Sequence, residues 1–191
     1  MDSNMKWLIE TKVKRTMEAL ENNNMKAYYV QNKDEVIKTI ESIVSEGEKV
    51  AFGGSTTLEE LEILDYLRSG KYDVLDRYKE GLTEEQKQDI HREAFFADTY
   101  FTSSNAITED GELYNVDGNG NRVAAMIFGP KKVIVIAGIN KIVRDLNEAI
   151  ARVKNLSAPV NTMRLNKKTP CATTGYCMNC NSPERICREY T

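Results

Sequence analysis

At 191 residues the chain is long enough to bury one sizeable core and cramped for a separate second domain, so one domain with an appendage is expected. Its residues are 41% hydrophobic and 29% charged, the balance of an ordinary soluble globular protein, and no apolar run reaches membrane-spanning length, which argues against a membrane partner. A formal net charge of -3, with Lys and Arg dispersed among Asp and Glu, offers no polyanion-binding face and argues against nucleic acid.

Met5, Leu8, Ile9, Thr16, Ala19 and Leu20 fall near helical spacing ahead of Asn22-Asn23-Asn24, which reads as a stop, so a helix occupies residues 1–24. Trp7, the single tryptophan, sits on it, where packing or a subunit contact suits it better than a ligand platform; a homo-oligomer stays open. From residue 26 the pattern becomes regular. Ala27-Tyr28-Tyr29-Val30 reads as a strand, Val36, Ile37, Ile40, Ile43 and Val44 as a helix, and Val50-Ala51-Phe52 as a strand, which makes a β-α-β unit. Leu58, Leu61, Leu64 and Leu67 mark another helix, Gly70 ends it, and Tyr72-Asp73-Val74-Leu75 is a third strand. Thr83-x-x-Gln86 has the form of a capping box opening a helix toward Phe95 and Phe96, with a strand near Tyr100-Phe101-Thr102 beyond. Strands separated by single helices favour a parallel sheet covered on both faces.

Next the rhythm changes. Glu109-Asp110-Gly111 and Asp117-Gly118-Asn119-Gly120 are turn chemistry around Glu112 to Val116, which predicts a hairpin-like insertion. A short helix is expected from Arg122 to Phe128, and Val133-Ile134-Val135-Ile136-Ala137 reads as the central strand. Ile142, Val143, Leu146, Ile150 and Val153 make an amphipathic helix, and Ser157-Ala158-Pro159 starts a last short one.

Ligands in open parallel sheets bind beyond the carboxyl ends of strands, and three loops fall there. In Gly53-Gly54-Ser55-Thr56-Thr57 the glycines allow close backbone approach and the following helix start suits a phosphate or carboxylate; the plain alternative is a capping box, Thr56-x-x-Glu59. The loop is neither a Walker loop nor a G-x-G-x-x-G fingerprint. The second loop runs from Ser103 to Gly111. There Asn105 can orient a ligand and Glu109 or Asp110 can act as acid or base, unless Glu-Asp-Gly is simply an exposed turn. In Gly138-Ile139-Asn140-Lys141, Asn140 can cap a helix and Lys141 can meet an anion or lie solvated. His91, the only histidine, has no triad or metal-ligand spacing and reads as a surface or packing residue.

All four cysteines, Cys171, Cys177, Cys180 and Cys187, lie in one stretch near the end of the chain. Four thiolates match the ligand set of a tetrahedral zinc site or an iron-sulfur cluster, and Cys177-x-x-Cys180 turns two sulfurs toward one ion. One close pair flanked by singles leans toward iron-sulfur, a [4Fe-4S] cluster, over the two pairs common in structural zinc sites. Two disulfides would suit a small secreted domain; this longer chain, opening on a charged amphipathic stretch without a signal peptide, is expected in a reducing, cytoplasmic compartment.

Val50 to Thr57, Ser104 to Gly111, Gly118-Asn119-Gly120-Asn121-Arg122-Val123, Gly129-Pro130-Lys131-Lys132-Val133 and Gly138-Ile139-Asn140-Lys141-Ile142-Val143 together resemble the LUD-domain family of lactate-utilization proteins. The closing Cys-x5-Cys-x2-Cys-x6-Cys resembles the tail of a short, single-domain branch, giving a helix at 1–24, an α/β domain at 25–168 and a cysteine-rich metal-binding tail at 169–191. The resemblance implies an α/β fold with a Rossmann-like, mostly parallel sheet and helices on both faces. That is the fold of the superfamily of sugar-phosphate isomerases, coenzyme A transferases and formyltetrahydrofolate cyclo-ligase. In those enzymes the loop matching Gly53 to Thr57 contacts phosphate, carboxylate or coenzyme A groups, and the loop matching Asn105 to Gly111 supplies acidic catalytic residues. Family members are associated with oxidation of L-lactate to pyruvate in systems that include iron-sulfur subunits. The resemblance therefore implies an accessory or electron-transfer component that binds a small anionic metabolite and works with iron-sulfur or oxidoreductase partners. The alternatives are a coenzyme A transferase- or ligase-like enzyme using Glu109 or Asp110, and a ligand-sensing scaffold with structural zinc. Short-branch members usually continue past the last cysteine into another apolar strand, whereas this chain stops at Arg188-Glu189-Tyr190-Thr191, being either truncated or without that edge strand.

Overall fold

The computed structural model describes residues 2–191. In chain order the elements are α1 (Ser3–Asn22), α2 (Lys33–Ile43), β1 (Lys49–Phe52), α3 (Thr56–Glu60), α4 (Ile63–Leu67), β2 (Asp73–Leu75), α5 (Glu84–Glu93), β3 (Thr99–Thr102), β4 (Ala106–Thr108), β5 (Leu113–Tyr114) and β6 (Val116–Asp117). They continue with α6 (Asn121–Phe128), β7 (Lys132–Val135), β8 (Ile142–Val143), α7 (Leu146–Arg152), α8 (Ala158–Arg164), α9 (Pro170–Thr174) and β9 (Glu189–Tyr190). The protein is α/β and forms two compact units. One consists of Val30–Ser103 and Asn121–Ala137; the other gathers the chain up to Tyr29, Ser104–Gly120 and Gly138–Thr191.

The first unit is built on a four-stranded, wholly parallel sheet in the order β2-β1-β3-β7. Successive side chains on a strand point to opposite faces, so each face collects its own core. Val50, Phe52 and Phe101 pack with Val36 and Ile40 of α2, Leu58 of α3, and Ile63, Leu64 and Leu67 of α4. Ala51 and Tyr100, one position out of phase, pack with Ala94, Ala97 and Ala125 of α6. Helices on both faces explain why β1 and β3 carry almost no polar alternation: Val50, Thr99, Phe101 and Thr102 are all completely buried.

The second unit holds a smaller sheet in the order β5-β4-β8, with β4 antiparallel to β5 and parallel to β8, and a two-stranded ladder of β6 with β9. Its core gathers Ala106, Tyr114, Val143, Ala149, Val153 and Ala158. Asp2 caps α1 by accepting the Met5 N–H. That helix is tied in by Lys12, which donates to the Ile142 carbonyl, and by Lys12 and Arg15, which both pair with Glu109. Gly111 lies against its far end, at φ +84°.

Several sequence expectations need correction. Ala27 to Val30 form no strand: Tyr28 and Tyr29 are exposed, and the run lies where the chain passes from one unit to the other, with no ladder to join. The leucine periodicity at 58–67 is interrupted because Glu62 adopts a left-handed conformation, φ 53°, which splits one helix into α3 and α4. The apolar run at 133–137 is the edge strand β7 and not the central one; its residues are only half-buried, and β1 and β3 occupy the middle. Ile142 and Val143, expected on a helix, form β8, and the helix starts after Asp145 caps Glu148. Among the described residues no helix is long and apolar enough to cross a membrane.

Candidate functional site

In the parallel sheet the chain leaves β1 for β2 on one side and returns as β3 on the other, so the topological switch point lies between β1 and β3. Gly53 and Gly54 follow β1 at that point. The Gly53 amide continues the ladder to Phe101 at 2.8 Å, which locks the loop's first residue to the sheet. A β-carbon on Gly53 would stand 2.9 Å from the Tyr100 hydroxyl, 3.0 Å from Thr102 Oγ1 and 3.1 Å from Arg122 Cγ; on Gly54 it would stand 3.0 Å from Arg77 Nη2. The two glycines thus let the backbone approach the Tyr100 and Thr102 hydroxyls, the Arg77 guanidinium and the aliphatic stem of Arg122. Ser55 caps α3, accepting the Leu58 N–H at 3.4 Å; the expected box on Thr56 and Glu59 is displaced by one residue, with Thr56 already inside the helix.

Arg77 is the residue that the sequence reading passed over. It follows β2, at the carboxyl end of the strand beside β1. Its guanidinium donates from Nη1 to the Phe52 carbonyl and from Nη2 to the Tyr78 hydroxyl, both at 2.8 Å, and lies 4.7 Å from the Tyr78 ring centre and 5.9 Å from that of Phe52. Among the described residues no carboxylate pairs with it. The turn that presents it is held by Asp76, which takes Arg68 in a two-pronged pair and accepts the Tyr78 N–H. Burial pushes the Asp76 pKa up, but Arg68 and the Tyr78 amide outweigh it and hold the carboxyl below its ordinary range. Arg122 of α6 donates to the Ser103 carbonyl at 2.8 Å. His91 is half-buried on α5, with Nδ1 3.2 Å from the Asn121 side-chain amide. Burial, followed by the positive charge of Arg77, holds its pKa below the usual imidazole value. The signal that could have found Arg77 is positional: a cation just past the carboxyl end of the strand that neighbours β1.

The second and third loops meet within the other unit. Arg152 of α7 donates to the Asn105 carbonyl at 2.6 Å, the Asn140 carbonyl at 3.1 Å and the Ser157 hydroxyl at 2.8 Å. Asn105 accepts the Val116 N–H at 2.9 Å, so its side chain splices β6 to the loop. A β-carbon on Gly138 would stand 2.7 Å from Asn140 Oδ1, the end of a side chain that could turn aside. Lys141 ends the short 3-10 turn Ile139–Lys141. The Glu109 carboxylate is held by Lys12 and Arg15, and Asp110 lies in the tight turn closed by the Gly111 N–H to the Thr108 carbonyl. Gly53 to Thr57 belong to one unit, and Asn105, Glu109, Asp110, Gly138, Asn140 and Lys141 to the other.

The four cysteines are free thiols lining a single cavity of about 30 Å³, shared with Tyr114 and Tyr190. Cys171, buried in α9, lies 3.3 Å from the Thr169 hydroxyl and 3.5 Å from that of Thr162. Arg185 donates to the carbonyls of Cys180 and Cys187, which fixes the loop's ends. Burial and then the neighbouring thiols raise the Cys187 pKa, with Arg185 opposing. The all-sulfur donor set fits a thiophilic metal. Among the described residues no three His, Cys, Asp or Glu side chains already stand at ligand geometry, so the sulfurs would have to draw together on an ion.

Comparison with known proteins returns no match among curated sequences. The profile of the LUD domain matches residues 13–191, which takes in the parallel sheet, the Gly53–Gly54 loop and all four cysteines. The chain belongs to the LUD-domain family, which is associated with lactate utilization.

Proposed function

We propose that this protein is an accessory component of L-lactate oxidation to pyruvate that holds a small carboxylate-bearing metabolite at Gly53 to Thr57 and carries a metal centre, iron-sulfur or zinc, on its four cysteines. The observation that carries the reading is Arg77: a guanidinium wedged against two aromatic rings beside Gly54, with two donors used on neutral oxygens and, among the described residues, no carboxylate paired with it. A planar guanidinium with free N–H groups suits a carboxylate, which it can take in two parallel hydrogen bonds. The half-exposed Tyr78 hydroxyl, which accepts from Arg77, has its own proton to donate to the oxygen on the adjoining carbon. Oxidation of lactate removes two electrons and two protons, and a partner oxidoreductase would accept them. In the second unit, pairing with Lys12 and Arg15 supports a clasping role for Glu109 in place of proton transfer.

Titration calorimetry with L-lactate, pyruvate and inorganic phosphate tests the site. A carboxylate ligand should bind the native chain, and Arg77→Gln should weaken it about tenfold or more while leaving the cysteines' metal content unchanged. If none of the three binds the native protein, or if the variant binds equally well, the reading is wrong.

A further inference from the structure

The cysteine cavity has a size and a wiring that discriminate between the two kinds of metal centre. About 30 Å³ is room for roughly two water-sized spheres, whereas a cubane cluster brings four irons and four sulfides. The close pair is already shaped as a knuckle. Asn179, between Cys177 and Cys180, takes a left-handed conformation at φ 49°, which asparagine tolerates better than most residues, and its N–H points to Cys177 Sγ at 3.4 Å. The Thr169 hydroxyl stands 3.3 Å from the Cys171 sulfur and can donate to its thiolate, whereas that of Thr162 donates to the Pro159 carbonyl. On one side of the cavity Tyr114, Val153, Ala158 and Cys187 belong to one packed core that fixes the wall there, and on the other Cys177 and Cys180 sit on an exposed turn.

We infer that the four sulfurs close on one divalent, thiophilic ion in tetrahedral coordination, zinc or mononuclear iron, and exclude a cubane iron-sulfur cluster. The inference rests on the metal-centre reading above and narrows it. Metal–sulfur bonds of about 2.3 Å draw four sulfurs around a single atom, which suits a cavity of this size. On binding, each of the four thiols gives up its proton as its metal–sulfur bond forms, and the resulting charge of about -2 on the site is partly offset by Arg185.

The test uses the full chain, purified and handled without oxygen. Cobalt(II) titrated as a spectroscopic probe should bind one ion per chain, with the visible bands of a tetrahedral site and strong sulfur-to-cobalt absorption, and native mass spectrometry should find one zinc after exchange. Cys177→Ser should weaken cobalt binding about tenfold or more. Incubation with ferrous iron and sulfide should leave no acid-labile sulfide on the protein, a measurement on the native chain that does not depend on any variant folding. Retention of sulfide with two or four irons per chain overturns the single-ion inference and leaves the metal-centre reading standing. Failure to bind cobalt, zinc or iron overturns both.

Discussion

At the scale of single residues, the glycine that follows β1 leaves little room for a side chain. Alanine at Gly53 would press a methyl group against Tyr100, Thr102 and Arg122, so Gly53→Ala should lower stability by about 1–3 kcal/mol and weaken carboxylate binding, checked by urea unfolding and calorimetry. Glu48 offers a pH test. Its carboxylate takes Lys132, the Ser45 N–H and the Thr99 hydroxyl, with the side chain only 16% exposed. Burial pushes its pKa up, yet these partners outweigh it and bring it down to about 2, from an ordinary value of 4.5. A depressed pKa means stability that is present above pH 4.5 and lost as pH falls toward 2. Glu48→Gln should cost about 2 kcal/mol at neutral pH, and the gap between variant and native protein in acid unfolding should narrow through that window. A gap independent of pH would mean that charge is not what the pair contributes.

Elements show which parts of this architecture can be read from sequence. The β1 and β3 strands, the helix with its Thr83–Gln86 capping box and the hairpin after Ser104 are all present, because each rests on local chemistry: an apolar run, a cap, a turn. What misled was periodicity detached from partners. The run at 133–137 is as apolar as a central strand, but position in a sheet depends on which neighbours arrive, and only one flanks it. Four leucines at regular spacing could not reveal that Glu62 would turn left-handed. The glycine loop and the cysteines stand out as motifs, whereas Arg77 and Arg152 matter through groups distant in sequence, such as the Phe52 and Asn105 carbonyls. The displaced cap on α3 gives a clean contrast. Ser55→Ala should cost about 1 kcal/mol in thermal or urea unfolding, and Thr56→Ala should stay within about 0.5 kcal/mol. Equal losses would return the cap to Thr56.

For the whole molecule, the proposed metal centre and the fold should be linked. Asn115 and Thr191 exchange backbone hydrogen bonds at 2.8 and 2.9 Å, closing the two-residue ladder of β6 and β9 just past Cys187. So short a ladder has little stability of its own. Loading the proposed centre with zinc should therefore slow hydrogen exchange at residues 115–117 and 188–191 and leave exchange in β1 and β3 unchanged; equal protection with and without metal would uncouple tail and centre. The interlaced path of the chain also has a temporal side. Helix α1 leaves the ribosome early, but Glu109 follows Arg15 by 94 residues and the Ile142 carbonyl follows Lys12 by 130. At synthesis rates of about 5–20 residues per second, the helix waits from several seconds to about half a minute for its anchors. Meanwhile Val30–Ser103 emerges as one continuous stretch and lacks only α6 and β7 to complete its unit. The nascent protein thus carries an amphipathic helix still without its anchors beside a nearly finished sheet, and that helix, with Trp7 and Leu8 uncovered, gives a chaperone something to hold.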